Sequence, residues 1–381
     1  MTTLFKTANH KLQEALDKRT KEFLIRSLQV NEGLIDFCSN DYLSFARSES
    51  LKKSAVRILN SIPHLSGSTG SRSISGNTAF AEDLEKKIAD FHTAEAGLIF
   101  NSGYDANLGL FSCIASKGDT IICDELIHAS IIDGCRLSHA TRYRFAHNDL
   151  SDLENKLNHA SGTVFVAVES VYSMDGDSAD LKAIAELCEK HKANLIVDEA
   201  HTSGVFGKNG RGLVNALGLE GKVFARVHTF GKALGCHGAI VLGSKTLRNY
   251  LINFARSFIF TTALPLSSLV SIQCAYEALT EKTFENSDLH ALIKLFKNTF
   301  KAPSGIYLIE SKSPVQSIVI TGNERTRLIS KKLQQKRFDV RAILSPSVPA
   351  GKERLRISLH RHNTETQVIA LTEALTEILH S

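Results

Sequence analysis

Two rhythms of apolar residues alternate along most of this chain. Stretches with apolar positions three and four apart, as one face of a helix requires, give way to short consecutive apolar runs of the kind a strand buried on both faces needs. The spacing predicts helices over 78–91, after Gly103, from His128 and from Ser151, interleaved with strands over 97–100, 120–123 and 141–145. It continues with a strand over 163–168, a helix over 181–190 and strands over 194–197, 223–227 and 239–242. Alternation of this kind specifies an α/β fold with a large, mostly parallel sheet covered by helices on both faces. A long helical stretch over 264–280 then leads into strands over 315–320, 339–343 and 354–358 that alternate with helices over 324–335 and 364–379, a small α+β unit. Ahead of the alternation, a charged amphipathic helix over 9–29 and a short strand over 34–37 read as an N-terminal arm.

A chain of 381 residues exceeds what one hydrophobic core usually serves. The expected organisation is an arm over 1–45, a large domain over 46–280 and a small C-terminal domain over 281–381, packed closely around a cleft because no Pro-rich linker separates them. Hydrophobic residues at 43% and charged residues at 22% exclude disorder and collagen-like repeats. With 45 basic against 40 acidic residues and no basic stripe interleaved with aromatics, nucleic acid is not an expected partner. Seven cysteines scattered from Cys38 to Cys274 without a Cys-x-x-Cys pair resemble neither a disulfide framework nor a zinc site, so no metal is expected and the thiols read as reduced. No signal-like segment and no membrane-spanning stretch is read, which makes the cytoplasm the default location.

In an open parallel sheet, ligands bind beyond the carboxyl ends of the strands. The run Asn194-Leu195-Ile196-Val197-Asp198-Glu199-Ala200-His201 ends an apolar strand on a carboxylate with an imidazole three residues on. Alone, Asp198 reads as a helix cap and His201 as a satisfied polar residue. Lys232, in Thr229-Phe230-Gly231-Lys232-Ala233-Leu234-Gly235 just after another strand, changes that balance. A lysine amine condenses with the aldehyde of pyridoxal phosphate, and a carboxylate beside the pyridine nitrogen keeps it protonated so that the ring accepts electrons from a carbanion. Flanking glycines would let the lysine backbone approach such a ring closely. The loop Asn101-Ser102-Gly103-Tyr104-Asp105-Ala106-Asn107, between a strand and a helix, offers backbone N–H groups to a phosphate.

The ordered motifs Ser39-Asn40-Asp41-Tyr42-Leu43, Ser66-Gly67-Ser68-Thr69-Gly70-Ser71-Arg72, Ser102-Gly103-Tyr104, His128-Ala129-Ser130, Ser173-Met174-Asp175-Gly176-Asp177, Asp198-Glu199-Ala200-His201, Thr229-Phe230-Gly231-Lys232 and Val348-Pro349-Ala350-Gly351 carry a wider likeness. In them the chain resembles the α-oxoamine synthase family, from about Leu16 to the last helix. The resemblance implies fold type I of the pyridoxal-phosphate-dependent transferases, a homodimer with its site at the subunit interface, and decarboxylative condensation of an amino acid with an acyl thioester. The stretches Phe254-Ala255-Arg256-Ser257, Phe260-Thr261-Thr262-Ala263-Leu264-Pro265 and Arg144-Phe145-Ala146-His147-Asn148-Asp149 look most like the branch that joins L-alanine to a pimeloyl thioester, on coenzyme A or acyl carrier protein, on the way to biotin.

The resemblance further implies that Lys232 holds the cofactor and, once freed, acts as base at Cα. Asp198 meets the pyridine nitrogen and His128 the ring face, while Ser173, His201 and Thr229 contact its hydroxyl or phosphate. The backbone of Gly103 and Tyr104 meets the phosphate region, and Thr261 and Thr262 are phosphate contacts that a second subunit would supply. His201 and His128 are placed to polarise the acyl oxygen. Arg26, Asn40 and Ser347 are expected at the substrates, and Arg356 at the amino-acid carboxylate, a planar fork that lysine does not offer. The chain departs from the pattern at Leu344-Ser345-Pro346, where many members have Arg-Pro-Pro, and Ile131-Ile132-Asp133-Gly134 and Lys232-Ala233-Leu234-Gly235 also read well as glycine C-acetyltransferase. Condensation of glycine with acetyl-coenzyme A, or of serine with a longer acyl donor, thus stands as the competing chemistry, and a catalytically idle protein of the same fold as the competing class.

Overall fold

The computed structural model describes residues 7–28, 30, 32–63, 67–282 and 284–380; Gln29, at the end of the predicted arm helix, and Ser66 of the Ser-Gly-Ser-Thr-Gly-Ser-Arg motif lie outside the described residues. The arm holds helix α1 (Ala8–Lys21) and the two-residue strand β1 (Ile35–Asp36). α1 stops well before the predicted end because Phe23 takes the left-handed conformation at φ 56° and the Leu24 amide turns back to the Arg19 carbonyl at 2.7 Å. That closure satisfies a terminal carbonyl, and no residue of α1 is buried to carry the helix further.

Next come α2 (Glu49–Ser61), α3 (Ala79–Phe91), β2 (Ala96–Phe100), α4 (Gly103–Cys113), β3 (Thr120–Asp124), α5 (Ala129–Leu137), β4 (Thr141–Phe145) and α6 (Leu150–Asn158). They are followed by β5 (Val164–Glu169), α7 (Leu181–Lys190), β6 (Asn194–Asp198), α8 (Leu213–Ala216), β7 (Ala225–Thr229) and β8 (Ala239–Gly243). The strands from β2 to β8 form one sheet in the order β2-β8-β7-β6-β5-β3-β4, with β8 antiparallel to both its neighbours and the other neighbouring pairs parallel. Phe111 of α4, Ile131 of α5 and Leu251 pack on one face of this sheet against Leu98 and Ile121. Leu153 of α6 and Ile184 of α7 pack on the other against Val166 and Val197.

Helices α9 (Lys245–Phe254), α10 (Arg256–Ile259), α11 (Leu266–Thr280) and α12 (Ser287–Thr299) lead to β9 (Tyr307–Leu308) and β10 (Val315–Val319). The chain ends with α13 (Asn323–Gln335), β11 (Phe338–Asp339), β12 (Arg341–Ile343), β13 (Arg354–Ser358) and α14 (Glu365–His380). β12-β13-β10-β9 form an antiparallel sheet, whereas β11 pairs in parallel with β1 of the arm. The single strand expected over 339–343 is therefore two: the Val340 amide folds back onto the Phe338 carbonyl at 3.1 Å, and the chain changes sheets at that fully buried valine. One apolar cluster runs from α3 and α11 through Phe230 to α12, α13 and α14, so the two sheets share a continuous core.

Candidate active site

The parallel register sets Glu169, at the end of β5, beside Asp198, at the end of β6, with Val227 of β7 next in line and Thr229 two residues further. Beyond these strand ends opens a cavity of about 170 Å³ lined by Gly103, Tyr104, His128, Glu169, Asp198 and Lys232 among others. Gly103 begins α4, whose N-terminus is capped by Ser102 accepting from the Asp105 amide at 3.0 Å. A Cβ on Gly103 would sit 3.4 Å from the Thr229 hydroxyl, so glycine keeps the helix start within reach of the cavity floor.

Asp198 is buried, and both of its oxygens are occupied by donors: the Asn107 amide at 2.8 Å and the Ala200 N–H at 2.9 Å. Asn107 also donates to the Ser130 hydroxyl at 3.1 Å, which meets His128 Nδ1 at 2.7 Å. His128 is thereby tied to Asp198 through two buried polar residues. Lys232 stands in the loop after β7, a loop pinned by the Phe230 amide on the Gly238 carbonyl and the Cys236 amide on the Phe230 carbonyl. The glycine that the backbone demands is Gly235, at φ 62° with a would-be Cβ 2.2 Å from the Ala46 amide; at Gly231 the nearest atom is 3.6 Å away and φ is ordinary, which corrects the expectation that both glycines serve the same end.

Lys232 Nζ lies 2.9 Å from His201 Nε2, and His201 Nδ1 lies 2.8 Å from the Tyr42 hydroxyl. Tyr42 donates to Asn40 Oδ1 at 3.0 Å, the atom that also accepts from Arg356 at 2.9 Å. The other Arg356 donors go to the Ser173 carbonyl at 2.7 Å and the Ser358 hydroxyl at 3.0 Å, so its hydrogen-bond partners are neutral and its charge is uncompensated by them. Burial pulls the Lys232 amine down to about 8, against the opposing pull of Asp198 and Glu169. Burial, with Lys232, Arg356 and His128 adding positive potential, holds His201 well below the ordinary imidazole range.

Four residues of the arrangement carried no role in the sequence reading: Tyr42, Asn107, Ser130 and Glu169. Glu169 had a usable signal, since it ends an apolar strand on a carboxylate as Asp198 does. Its Oε2 accepts from the Ser173 amide at 3.2 Å, while Oε1 is buried and short of a well-formed hydrogen bond. Burial and the neighbouring Asp198 raise the Glu169 carboxyl to about 8. Ser173 faces Arg356 through its carbonyl, and Thr229 reaches the Gly238 carbonyl at 3.4 Å. Asn101 donates to the Thr261 hydroxyl and the Thr262 carbonyl, both at 2.9 Å, so these threonines stand behind the phosphate-loop candidate and do not line the cavity around Lys232. Arg26 and Ser347 meet each other at 3.2 Å, beside a separate cavity. Asp36, His360 and His362 also draw together, but Asp36 already accepts from the Cys38 and Ser39 amides, the Ser39 hydroxyl and Arg47.

The donor set suits pyridoxal phosphate: an amine of depressed basicity, a buried carboxylate across the same cavity, a helix N-terminus and a carboxyl oxygen still wanting a partner. This is the arrangement of a cofactor-dependent transferase, and the chain belongs to the family described as aminotransferase class I and II, whose model matches residues 32–375. Within that class it is 43% identical to the 8-amino-7-oxononanoate synthase of Emericella nidulans, over 96% of this chain and 94% of that protein. The crystal structure of 8-amino-7-oxononanoate synthase from Francisella tularensis superposes with a TM-score of 0.77 at 31% identity, covering 91% of this chain and 98% of that one. A high-resolution structure of SPT with PLP superposes with a TM-score of 0.88 at 28% identity, covering 98% of each chain. The fold is accordingly fold type I of the pyridoxal-phosphate-dependent transferases.

Proposed function

We propose that this chain is a pyridoxal-phosphate enzyme that condenses L-alanine with a pimeloyl thioester, with loss of carbon dioxide, to give 8-amino-7-oxononanoate for biotin synthesis. The 43% identity over nearly the whole of a protein so named supports the reading. The observation that carries it is the hydrogen-bonded line His201–Tyr42–Asn40–Arg356 running from Lys232, which lines one cavity with Asp198. The bound cofactor supplies an electron sink for a carbanion at the amino-acid Cα. Lys232 holds it and, when released, takes and returns the Cα proton. Asp198 keeps the pyridine nitrogen protonated, and Arg356 exchanges a neutral partner for the substrate carboxylate, a charge-assisted pair in place of a weaker one. His128, held below the ordinary imidazole range by burial, polarises the acyl oxygen, while His201 presents Nε2 to Lys232.

The remaining assignments follow the same reading. The working form is a cytoplasmic homodimer with Thr261 and Thr262 offered to the neighbouring subunit's phosphate site, the donor is carried on coenzyme A or acyl carrier protein, and the chain divides into an arm (1–45), a cofactor domain (46–280) and a small domain (281–381). The test is thiol release with alanine, glycine and serine against pimeloyl-, acetyl- and palmitoyl-coenzyme A. Alanine with pimeloyl-coenzyme A should exceed each other pair by about 10²-fold in kcat/KM, the scale that a few methylenes of pocket fit supply; a preference for glycine with acetyl-coenzyme A would overturn the assignment.

A further inference from the structure

His147 and Asn148, in the stretch Arg144-Phe145-Ala146-His147-Asn148-Asp149, lie outside the lining of the cavity around Lys232. His147 Nδ1 stands 2.9 Å from Asp124 Oδ1, and its Nε2 stands 2.8 Å from Asp177 Oδ2. A neutral imidazole carries one N–H, so only the imidazolium donates to both carboxylates at once. Asn148 takes the left-handed conformation at φ 56°; its amide donates to Asp124 Oδ2 at 3.1 Å and its side-chain NH2 to Asp177 Oδ2 at 2.9 Å. Two consecutive residues thus hold the same two carboxylates together.

Those carboxylates belong to segments that each lead to the site. Asp124 ends β3 and shapes the turn that runs directly into His128: its Oδ1 accepts from the Leu126 amide at 2.8 Å and its carbonyl from the Ile127 amide at 3.2 Å. Asp177 closes the turn that carries Ser173, with its carbonyl accepting from the Tyr172 amide at 2.9 Å and the Gly176 amide donating to the Tyr172 carbonyl at 2.8 Å. Inside that turn the Ser173 amide donates to Glu169 at 3.2 Å, and the Ser173 carbonyl accepts from Arg356 at 2.7 Å. A displacement at Asp177 is therefore passed to Ser173 and Arg356, and one at Asp124 to His128. Asp175, the other acid of the turn, is taken by Arg354, and Glu125 accepts the His147 backbone amide at 3.1 Å, so the ring itself is left to Asp124 and Asp177.

We propose that His147 is a positioning residue whose imidazolium ties the turn before His128 to the turn around Ser173, and so sets the spacing between the imidazole at the cofactor ring and the guanidinium that takes the amino-acid carboxylate. The role rests on the reaction assigned above and adds the residue that keeps two sides of its site in register.

The experiment compares wild type with His147→Gln, Asp177→Ala and the double variant. The readouts are KM for L-alanine, KM for pimeloyl-coenzyme A, the dissociation constant of pyridoxal phosphate from titration of apoenzyme, and Tm. His147→Gln should raise KM for alanine and the cofactor dissociation constant each by about tenfold, while KM for pimeloyl-coenzyme A changes less than about twofold. In KM for alanine the double variant should stay within about twofold of the more impaired single variant, because both remove the same linkage to the turn. If His147→Gln does not fold, Asp177→Ala, which keeps the Asp124 pair, carries the test through the alanine KM. A lower Tm with alanine KM and cofactor affinity unchanged would leave His147 a structural tie and overturn the role. Equal rises in both KM values, or single effects that multiply in the double variant, would overturn it as well. Titration of apoenzyme needs no turnover, which separates the two levels. Cofactor affinity that depends on His147 in a protein releasing no thiol with alanine would sink the reaction and leave the positioning standing, while alanine turnover indifferent to His147 would do the reverse.

Discussion

His201 has a fixed tautomer, and Tyr42 fixes it. The Tyr42 proton goes to Asn40, so His201 Nδ1 must donate to the Tyr42 oxygen, which leaves the Nε2 lone pair facing Lys232. A protonated Lys232 is satisfied by that lone pair, and with its amine at about 8 roughly half of it is neutral near pH 8. Only the neutral amine attacks an aldehyde, so the rate at which apoenzyme takes up pyridoxal phosphate should rise with pH through about 8, read by the growth of visible absorbance. Replacing Lys232 with Ala should abolish both that band and turnover. Asp198→Asn should retain the fold yet lose activity by about 10²-fold or more, because both oxygens now meet donors and an amide must turn its NH2 against one of them, besides losing the charge that holds the ring nitrogen protonated. Kinetics of thiol release check it, and an active Asn variant would show that the carboxylate is dispensable. Asp198 and His201 were legible in sequence because they end and follow the apolar run of β6, and Lys232 because it follows a strand candidate in a Gly-flanked loop. Tyr42 and Asn107 were not, because their roles exist only through pairings 159 and 91 residues away in the chain, which no local pattern encodes.

The turn from β5 toward α7 is the element through which the two sheets address one site. The Asp175 carboxylate pairs with Arg354 of β13, Ser311 and Ser313 donate to the Gly176 carbonyl at 2.7 and 2.9 Å, and Arg356 holds the Ser173 carbonyl. Gly176 sits at φ 80°, and a Cβ there would fall 2.2 Å from the Val315 carbonyl oxygen. Gly176→Ala should therefore cost about 2 kcal/mol or more, from left-handed strain and a backbone clash that cannot relax without moving β10. It should also raise KM for alanine through displaced Arg356, with thermal unfolding and steady-state kinetics as the two readouts. Unchanged values in both would show the turn to be compliant. The central strands β2, β5, β6 and β8 were readable because burial on both faces makes them nearly continuous apolar runs, whereas β10 and β13 stood out by short apolar stretches bounded by helical patterns. Helices α2, α9 and α12 went unpredicted: α2 has no buried residue, α9 buries only Leu247 and Leu251, and α12 follows α11 without a glycine or proline to punctuate the change. The split between β11 and β12 escaped because one pairing partner lies in the arm, some three hundred residues upstream.

Across the whole molecule, the buried imidazoles divide into two kinds that make opposite demands on pH. Burial pushes His92 down to about 3 and holds His201 and His228 well below the ordinary range, so these three stay neutral in the fold while the unfolded chain protonates them near 6.5; stability is lost as pH falls below that value. His147 runs the other way. Its Nδ1 lies 2.9 Å from Asp124 and its Nε2 2.8 Å from Asp177, with the Tyr172 ring edge-on at 4.5 Å, and although burial opposes the charge, the two carboxylates raise it to about 10. A folded pKa above the unfolded 6.5 means that its contribution is complete below about 6.5 and fades as pH rises towards 10. His147→Gln should accordingly lower Tm by several degrees at pH 6, on the order of 2–4 °C per kcal/mol lost, and by progressively less towards pH 10. The gap between the two melting curves is the measurement. A gap independent of pH would mean that His147 stabilises by shape and hydrogen bonding alone. A gap widening with pH would contradict a charged imidazole held between the two carboxylates.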